Sequence, residues 1–159
     1  MLVLLISAGP HRFALPCSRV SEVISRVALR PLSGGPRHLA GLFSYRGVVT
    51  PVADFCAMHG GGPCSNRLSS RILLFDHALA GSVRRPVGLL AERVTETRQL
   101  STEGAAPAEL PYVGRVVVEG NEMIHLLDTE ELLRRAFSAL PELPEGGEET
   151  AHAALDHRQ

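Results

Sequence analysis

The sequence predicts a mainly β domain that ends in one amphipathic helix. Short apolar segments of strand-forming residues recur about every eight to twelve positions, which is the spacing of a sandwich or a small barrel. Glycine, proline and asparagine separate these segments, and apolar residues repeat at helical spacing only after Asp128. A chain of 159 residues is also long enough to bury a core without a disulfide or a metal.

The predicted strands follow one another with short turns between them. They lie at residues 2–6, 12–16, 42–46, 48–53, 71–75, 87–91, 113–118 and 123–127. Residues 20–27 fit either a strand or a short helix. Gly47 is the predicted bend between two of the strands. Gly120 and Asn121 form the predicted hairpin turn between the last two, because both residue types tolerate positive φ.

The last predicted element is the amphipathic helix. Asp128 is its predicted N-cap, and Glu131 is predicted to reach back to it as in a capping box. The apolar residues of its buried face are Leu132, Leu133, Ala136, Phe137 and Leu140. We therefore expect one domain over residues 1–140. Residues 141–159 are rich in proline, glycine and glutamate without an apolar period, and we expect a disordered tail there.

Composition excludes several classes of function. All sixteen basic residues are arginine, so the lysine used by Walker A loops, protein kinases and pyridoxal enzymes is absent. The formal net charge is −1 and tryptophan is absent, which argues against a nucleic-acid partner. No stretch approaches the ~20 apolar residues of a membrane span, so we expect no direct membrane insertion. Three cysteines, an odd number, fit reduced thiols and a cytoplasmic protein.

One cluster of residues resembles a metal site. Cys56, His59 and Cys64 surround a glycine-rich loop, and their side chains suit zinc, with Asp54 and His77 as candidates for a fourth ligand. The alternative is that Cys56 is a small buried residue and that the other two lie on an exposed loop. We adopt this second interpretation and expect no metal and no cofactor. A small zinc- or thiol-dependent protein centred on Cys56, His59 and Cys64 is the alternative function.

Motifs for catalysis are also missing, so we expect a protein that is not an enzyme and has no catalytic residue. The sequence contains no G-x-S-x-G elbow, and the three glycines at 60–62 lack the lysine of a phosphate-binding loop. A more informative segment is the corner at Tyr45, Arg46 and Gly47, between two apolar strands. Arg46 either ties this corner down through a carboxylate or presents its planar guanidinium to a partner.

Four motifs occur in order along nearly the whole chain. They are Phe13-Ala14-Leu15-Pro16 followed by Val20-Ser21-Glu22-Val23-Ile24, then Arg46-Gly47 with Pro51-Val52 and Asp54, then Val87-Gly88-Leu89-Leu90, and finally Leu126-Leu127-Asp128 with Leu132-Leu133. Each motif alone is weak. Together, from about residue 2 to about residue 137, their order and spacing resemble the CheW family, the coupling adaptors of bacterial chemotaxis-type signalling arrays.

The resemblance implies a fold, a function and contact residues. The implied fold is two small intertwined five-stranded β-barrels with a shared core and one C-terminal helix. The implied function is noncatalytic coupling of the cytoplasmic tip of a methyl-accepting chemotaxis receptor to the regulatory domain of a CheA-type histidine kinase, in arrays beneath the inner membrane. By position, Val20, Glu22 and Arg46 would border the receptor-binding groove, and Gly41 and Leu42 would lie in the kinase-binding region.

The chain also departs from the family pattern. Ser44 and Tyr45 replace the usual Asn-Leu type pair before Arg46, and Glu92 stands where aspartate is usual. The bulkier Tyr45 would alter the partner surface. These substitutions suggest an array with a non-flagellar output, such as surface sensing or type IV pili.

Overall fold

The computed structural model describes residues 1–79, 83–141 and 143. Its strands and helices in chain order are β1 Leu2–Ala8, β2 His11–Pro16, β3 Glu22–Ser25, β4 Leu39–Tyr45, β5 Val48–Asp54, α1 Phe55–Met58, β6 Arg71–Ala78, β7 Arg84–Gln99, β8 Ala106–Pro107, β9 Val113–Glu119, β10 Glu122–Leu127 and α2 Thr129–Phe137. A single turn of 3₁₀ helix at Cys17–Arg19 follows β2. The predicted disordered tail lies outside the described residues except for 141 and 143.

The strands form two lobes that share β7. In lobe one the strand order is β7-β1-β2-β10-β9-β8, and in lobe two it is β3-β6-β7-β5-β4. The chain builds part of lobe one, then lobe two, and then returns to lobe one for β8, β9 and β10. Pairing among the described strands leaves both sheets open, since β8 does not pair with β7 and β3 does not pair with β4. The expected mainly β fold of two barrel-like lobes is confirmed. Lobe one has six strands instead of the expected five, and lobe two has five.

Strand β7 changes partner halfway along its length. Residues 84–91 pair antiparallel with β6 in lobe two, and residues 92–99 pair with β1 in lobe one. The change coincides with a register shift opposite Leu5 and Ser7, and Arg93 has a positive φ of 48° there. A bulge of this kind bends a strand and increases its twist. One strand can therefore belong to two differently oriented sheets.

Two tight turns follow directly from the sequence. Tyr45 pairs with Val48, so Arg46 and Gly47 form a two-residue hairpin loop, with φ values of 49° and 80°. Positive φ at both loop positions is the requirement of a type I′ turn, which matches the twist of the flanking strands. The predicted bend at Gly47 is confirmed. The predicted turn at Gly120 is confirmed as well, with a φ of 64°.

The hydrophobic core has two unequal parts. The larger part is a shared core that joins both lobes and the helix α2, and Phe13, Phe55 and Phe75 are fully buried within it. The smaller part lies inside lobe one alone. Its buried members are Val3, Leu5, Ala14, Leu100, Val117, Ile124 and Leu126. The helix thus lies against both lobes because its apolar face completes the shared core.

Helix α2 begins as predicted but without the reciprocal half of the capping box. The Asp128 carboxylate accepts a hydrogen bond from the Glu131 N–H at 3.2 Å, which confirms the N-cap. The predicted return contact from Glu131 is wrong, because the Asp128 N–H donates to the Tyr112 carbonyl at 2.8 Å. The Glu131 carboxylate instead pairs with Arg134 and Arg135.

None of the described helices is long and apolar enough to span a membrane.

Candidate functional site

Glu22, Tyr45 and Arg46 form a polar cluster, named here the corner cluster, at the open side of lobe two. The Glu22 carboxylate accepts hydrogen bonds from the Tyr45 hydroxyl and, at 3.2 Å, from the Arg46 guanidinium. Glu22 begins β3, while Tyr45 and Arg46 end β4 and start its turn. Side chains therefore connect β3 to β4, the two strands whose backbones do not pair.

Arg46 is paired with a carboxylate and is also exposed to solvent. Its guanidinium carbon lies 5.0 Å from the centroid of the Tyr45 ring, so that the ring, together with Glu22, orients the side chain. The Arg46 side chain is nevertheless 75% exposed, against 37% for Glu22. An exposed ion pair of this kind contributes little to folding because water screens it. The guanidinium is thus positioned by the protein and still accessible to a partner.

Tyr45 has a role that the family pattern does not indicate. It stands at one of the positions where this chain departs from that pattern, and its hydroxyl contacts Glu22 across 23 positions of sequence. This hydrogen bond, together with partial burial, raises the pKa of the Tyr45 hydroxyl, so the group stays a protonated donor at neutral pH. The substitution therefore adds a contact that orients Glu22.

Val20 follows the 3₁₀ turn and precedes Glu22, the first residue of the corner cluster, by two positions. Its N–H donates to the Cys17 carbonyl at 3.1 Å, and the next residue, Ser21, donates to the Leu74 carbonyl at 2.7 Å. The Val20 side chain is half-buried against the shared core. Of the three residues predicted to border a groove, the structure brings Glu22 and Arg46 into contact and places Val20 two residues before Glu22.

Gly41 and Leu42 lie in the middle of β4, where the chain packs against the segment before it. Leu42 exchanges two backbone hydrogen bonds with Arg30, both of 2.8 Å, and its side chain is buried. Gly41 has a φ of 148°, and a Cβ atom there would lie 2.4 Å from the Arg30 carbonyl oxygen. Close backbone packing therefore requires glycine at position 41. Together, Gly41 and Leu42 hold the backbone at Arg30 against β4.

A cavity that sequence reasoning did not find lies next to this edge. It has a volume of 480 Å³ and is lined in part by Arg26, Arg37, Leu39, Ala40 and Ala57. The segments that form it are far apart in sequence and include an irregular stretch around residue 28. Their local patterns carry no signal for a cavity, because it arises from how β4, α1 and this stretch pack together.

The segment from Asp54 to Cys64 does not bring together the three residues of the sequence pattern, Cys56, His59 and Cys64. The ligand atoms of Asp54, Cys56 and Cys64 all lie within 4.8 Å of one another, and the three residues are buried. The His59 ring does not belong to this group, since its Nδ1 atom lies 2.8 Å from the Tyr112 hydroxyl. The interpretation of Cys64 as an exposed loop residue is wrong, because Cys64 is 5% exposed.

Comparison with known proteins bears on the whole domain. The family model described as CheW-like domain matches residues 2–137. Protein FrzA of Myxococcus xanthus is 29% identical over 136 residues, which cover 80% of this chain and 82% of that protein. The crystal structure of the scaffolding protein TtCheW from Thermoanaerobacter tengcongensis has a TM-score of 0.68 at 21% identity, covering 79% of this chain and 82% of that one.

The fold is a two-lobed β scaffold that presents a positioned, exposed arginine. The chain belongs to the CheW-like family, which confirms the resemblance drawn from its motifs. Proteins of this family are noncatalytic scaffolds of chemotaxis-type signalling, so the protein is not an enzyme.

Proposed function

We propose that this protein couples the cytoplasmic tip of a methyl-accepting receptor to the regulatory domain of a CheA-type histidine kinase. It does so in the cytoplasm, at receptor arrays beneath the inner membrane. The CheW-like match over residues 2–137 supports the adaptor role, and the exposed, oriented guanidinium of Arg46 supports a protein contact at the corner cluster. Arginine is enriched among the residues that dominate binding at protein interfaces.

The receptor-binding groove is bordered by Val20, Glu22 and Arg46. Val20 supplies apolar surface beside the shared core, and Arg46 supplies a directional donor set for carboxylate or carbonyl groups of a receptor helix. Glu22 and Tyr45 hold the guanidinium in place before the partner arrives. Preorganisation of this kind reduces the entropy cost of binding.

The kinase-binding region includes Gly41 and Leu42, and these residues act through the backbone. Leu42 is buried and its backbone bonds are used by Arg30, so the two residues fix the course of residues 28–30 along the edge of lobe two. The kinase then contacts the surface that this edge presents. Pairing between exposed edges of like folds is a common route to association of β proteins.

The experiment that tests this function is charge reversal at the corner cluster. Arg46→Glu is expected to weaken receptor-fragment binding at least tenfold by calorimetry, because it places a like charge beside Glu22 and removes the donor. Binding to the kinase regulatory domain is expected to stay within twofold. The matched control is Arg84→Glu, which reverses another exposed arginine that is paired with Asp76. This control is expected to leave both affinities unchanged.

Three outcomes of this experiment would contradict the proposal. Equal loss of receptor binding in both variants would mean that only general charge matters. A collapse of thermal stability in Arg46→Glu would make the residue structural. Wild-type protein that binds neither a receptor fragment nor a CheA-type kinase from its own organism would remove the coupling function itself.

The output of the array is proposed to be non-flagellar, such as surface sensing or pili. The supporting observation is the departure at Ser44 and Tyr45, where the new hydroxyl contact reshapes the corner cluster. Co-purification of this protein with a flagellar receptor and kinase would count against it. We also propose that residues 1–140 form the CheW-like domain and that residues 141–159 are a disordered tail rich in proline, glycine and glutamate.

A further inference from the structure

The buried group of Asp54, Cys56 and Cys64 has no part in partner binding as proposed above. Asp54 ends β5, Cys56 lies in the short helix α1, and Cys64 lies on the loop that follows. Their ligand atoms are within 4.8 Å of one another, and each residue is 5% exposed. Two sulfur donors and one carboxylate therefore converge at one buried point between β5, α1 and the next loop.

The distances are close to those of a zinc site. Zinc–sulfur bonds of about 2.3 Å in tetrahedral geometry place two sulfur ligands roughly 3.8 Å apart. Donor atoms within 4.8 Å of one another thus need to move by about an ångström at most. Cysteine thiolate with carboxylate is a ligand set suited to this borderline-soft ion.

The donor atoms keep lone pairs for a metal. One Asp54 carboxylate oxygen accepts the Ala57 N–H at 3.1 Å, and the other accepts the Cys64 N–H at 2.9 Å. A carboxylate offers about four acceptor sites, so each oxygen retains one. These same bonds orient the carboxylate, as outer-shell hydrogen bonds commonly do for metal ligands.

The electrostatics of the group favour a cation. Among the ion pairs of the described residues, none involves Asp54, so no arginine compensates this buried carboxylate. A divalent cation would neutralise this carboxylate.

A surface cavity reaches Cys56, one member of the group. The cavity has a volume of 340 Å³ and is also lined by Glu92, His59 and the glycines at 60–62. The Glu92 carboxylate accepts a hydrogen bond from the Ser65 N–H at 2.7 Å, and Cys56 is among the groups that hydrogen-bond its side chain. Glu92 therefore stands beside Cys56, and it or a water would supply the fourth ligand.

We propose that Asp54, Cys56 and Cys64 form a binding site for a zinc ion. Each thiol releases its proton to solvent as a zinc–sulfur bond forms, so the site takes up Zn²⁺ and gives up two protons. The bound ion would tie β5 and α1 to the loop that carries Cys64. His59 is outside the ligand set, because its ring contacts Tyr112.

The test uses the full chain in a Cys17→Ser background, so that the only thiols are Cys56 and Cys64. Metal-stripped, reduced protein is titrated with Zn²⁺ against a chromophoric chelator, and Co²⁺ is used to detect thiolate-to-metal charge transfer. We expect one zinc ion per chain and a charge-transfer band. Cys56→Ser, Cys64→Ser and Asp54→Asn are each expected to weaken zinc binding at least tenfold, whereas His59→Ala keeps wild-type affinity.

Circular dichroism of every variant separates loss of ligand from loss of fold. Where a serine variant is unfolded, the cobalt spectrum of the Cys17→Ser protein decides, since the band requires sulfur ligands. The proposal is overturned if this protein binds no stoichiometric zinc, or if a folded Cys64→Ser variant binds it as tightly. It is also overturned if His59→Ala abolishes binding while Asp54→Asn does not, or if a Cys56–Cys64 disulfide forms with no zinc affinity in the reduced state.

Discussion

The two lobes are held together by different means. Lobe one encloses a small core of seven buried residues and also carries a network of charged side chains. Arg12 and Arg98 lie there among Glu96, Glu119 and Glu122, with nitrogen–oxygen distances of 3.1 to 3.5 Å. Among the described residues, lobe two forms no separate buried cluster, because most of its buried apolar side chains belong to the shared core.

Polar groups are also placed differently in the two lobes. In lobe one the arginines and glutamates largely satisfy one another, and their side chains are 28% to 46% exposed. In lobe two the corner cluster leaves Arg46 accessible, and the buried Asp54 carboxylate accepts two backbone N–H hydrogen bonds and has no ion-pair partner among the described residues. Lobe two therefore carries an accessible guanidinium and a buried carboxylate with capacity for a partner or an ion, whereas these charged side chains of lobe one mainly pair with one another.

The largest effect is expected from removing a side chain that both lobes share. Phe13 belongs to β2 of lobe one, and its ring lies 4.9 Å from that of Phe55 in the shared core. Phe13→Ala is expected to lower the free energy of unfolding by about 3–5 kcal/mol. Because β7 and the shared core join the lobes, denaturant unfolding should remain one transition when followed by circular dichroism and by hydrogen exchange.

The control for Phe13 lies in the small core of lobe one. Leu126→Ala is expected to cost about 2–3 kcal/mol, at the lower end for buried leucine, because the residue is 8% exposed. It should shift the same single transition. Two separated transitions in either variant would show that the lobes unfold independently. That result would contradict the conclusion that β7 and the shared core join the lobes into one cooperative unit.

An intermediate effect is expected at the edge of lobe two. Gly41→Ala places a Cβ atom 2.4 Å from the Arg30 carbonyl oxygen at a φ of 148°, and we expect a loss of about 1–3 kcal/mol in the free energy of unfolding. Gly114→Ala in β9 of lobe one is the matched control, since the nearest contact of its Cβ would be the Leu126 carbonyl oxygen, 4.0 Å away. Equal stability of the two variants in urea unfolding would show that close packing at Gly41 is unimportant.

The smallest effect is expected from a histidine between the lobes. Burial, and then the charges of His11 and His125, lower the pKa of His59 below its ordinary value. The unfolded chain therefore binds a proton more readily, so this histidine removes stability as pH falls from about 7 through the ordinary histidine pKa near 6.5. His59→Asn should reduce the slope of unfolding free energy against pH between about pH 7 and pH 5.

His77 also contributes to the slope of the unfolding free energy against pH. Burial and nearby arginines lower the pKa of His77 too, and its ring lies 6.4 Å from that of Phe137. The single His59→Asn variant should thus retain part of the pH dependence, and adding His77→Asn should remove more. A His59→Asn slope identical to that of the wild type would rule out the burial effect at this residue.

Most strands were predictable because their signals are local. Alternating apolar residues bounded by glycine and proline identify β1, β2, β4, β5, β6, β9 and β10 to within a few residues. The second half of β7 was missed, because residues 92–99 are mostly charged or polar. Its charges have long-range partners, since Arg98 pairs with Glu119 and Glu122 of the β9–β10 hairpin.

The candidate site was predictable only in part, for the same reason. A glycine after Arg46 identifies the corner, but the contact with Glu22 joins positions 24 residues apart. The spacing of Cys56, His59 and Cys64 likewise indicates a cluster. Its true third member is Asp54, because His59 contacts Tyr112, which lies 53 residues further along the chain. Packing between distant segments decides where each side chain of the loop points.

The sharing of β7 by both sheets has a mechanical consequence. A 16-residue strand spans about 50 Å when extended, so one continuous backbone runs through both lobes. A pull that separates the lobes is resisted by peptide bonds along this strand as well as by side-chain contacts across the seam. The bend of β7 at Arg93 is then the most deformable point of this connection. A force on one lobe would therefore reach the other lobe as a change in the bending angle of β7.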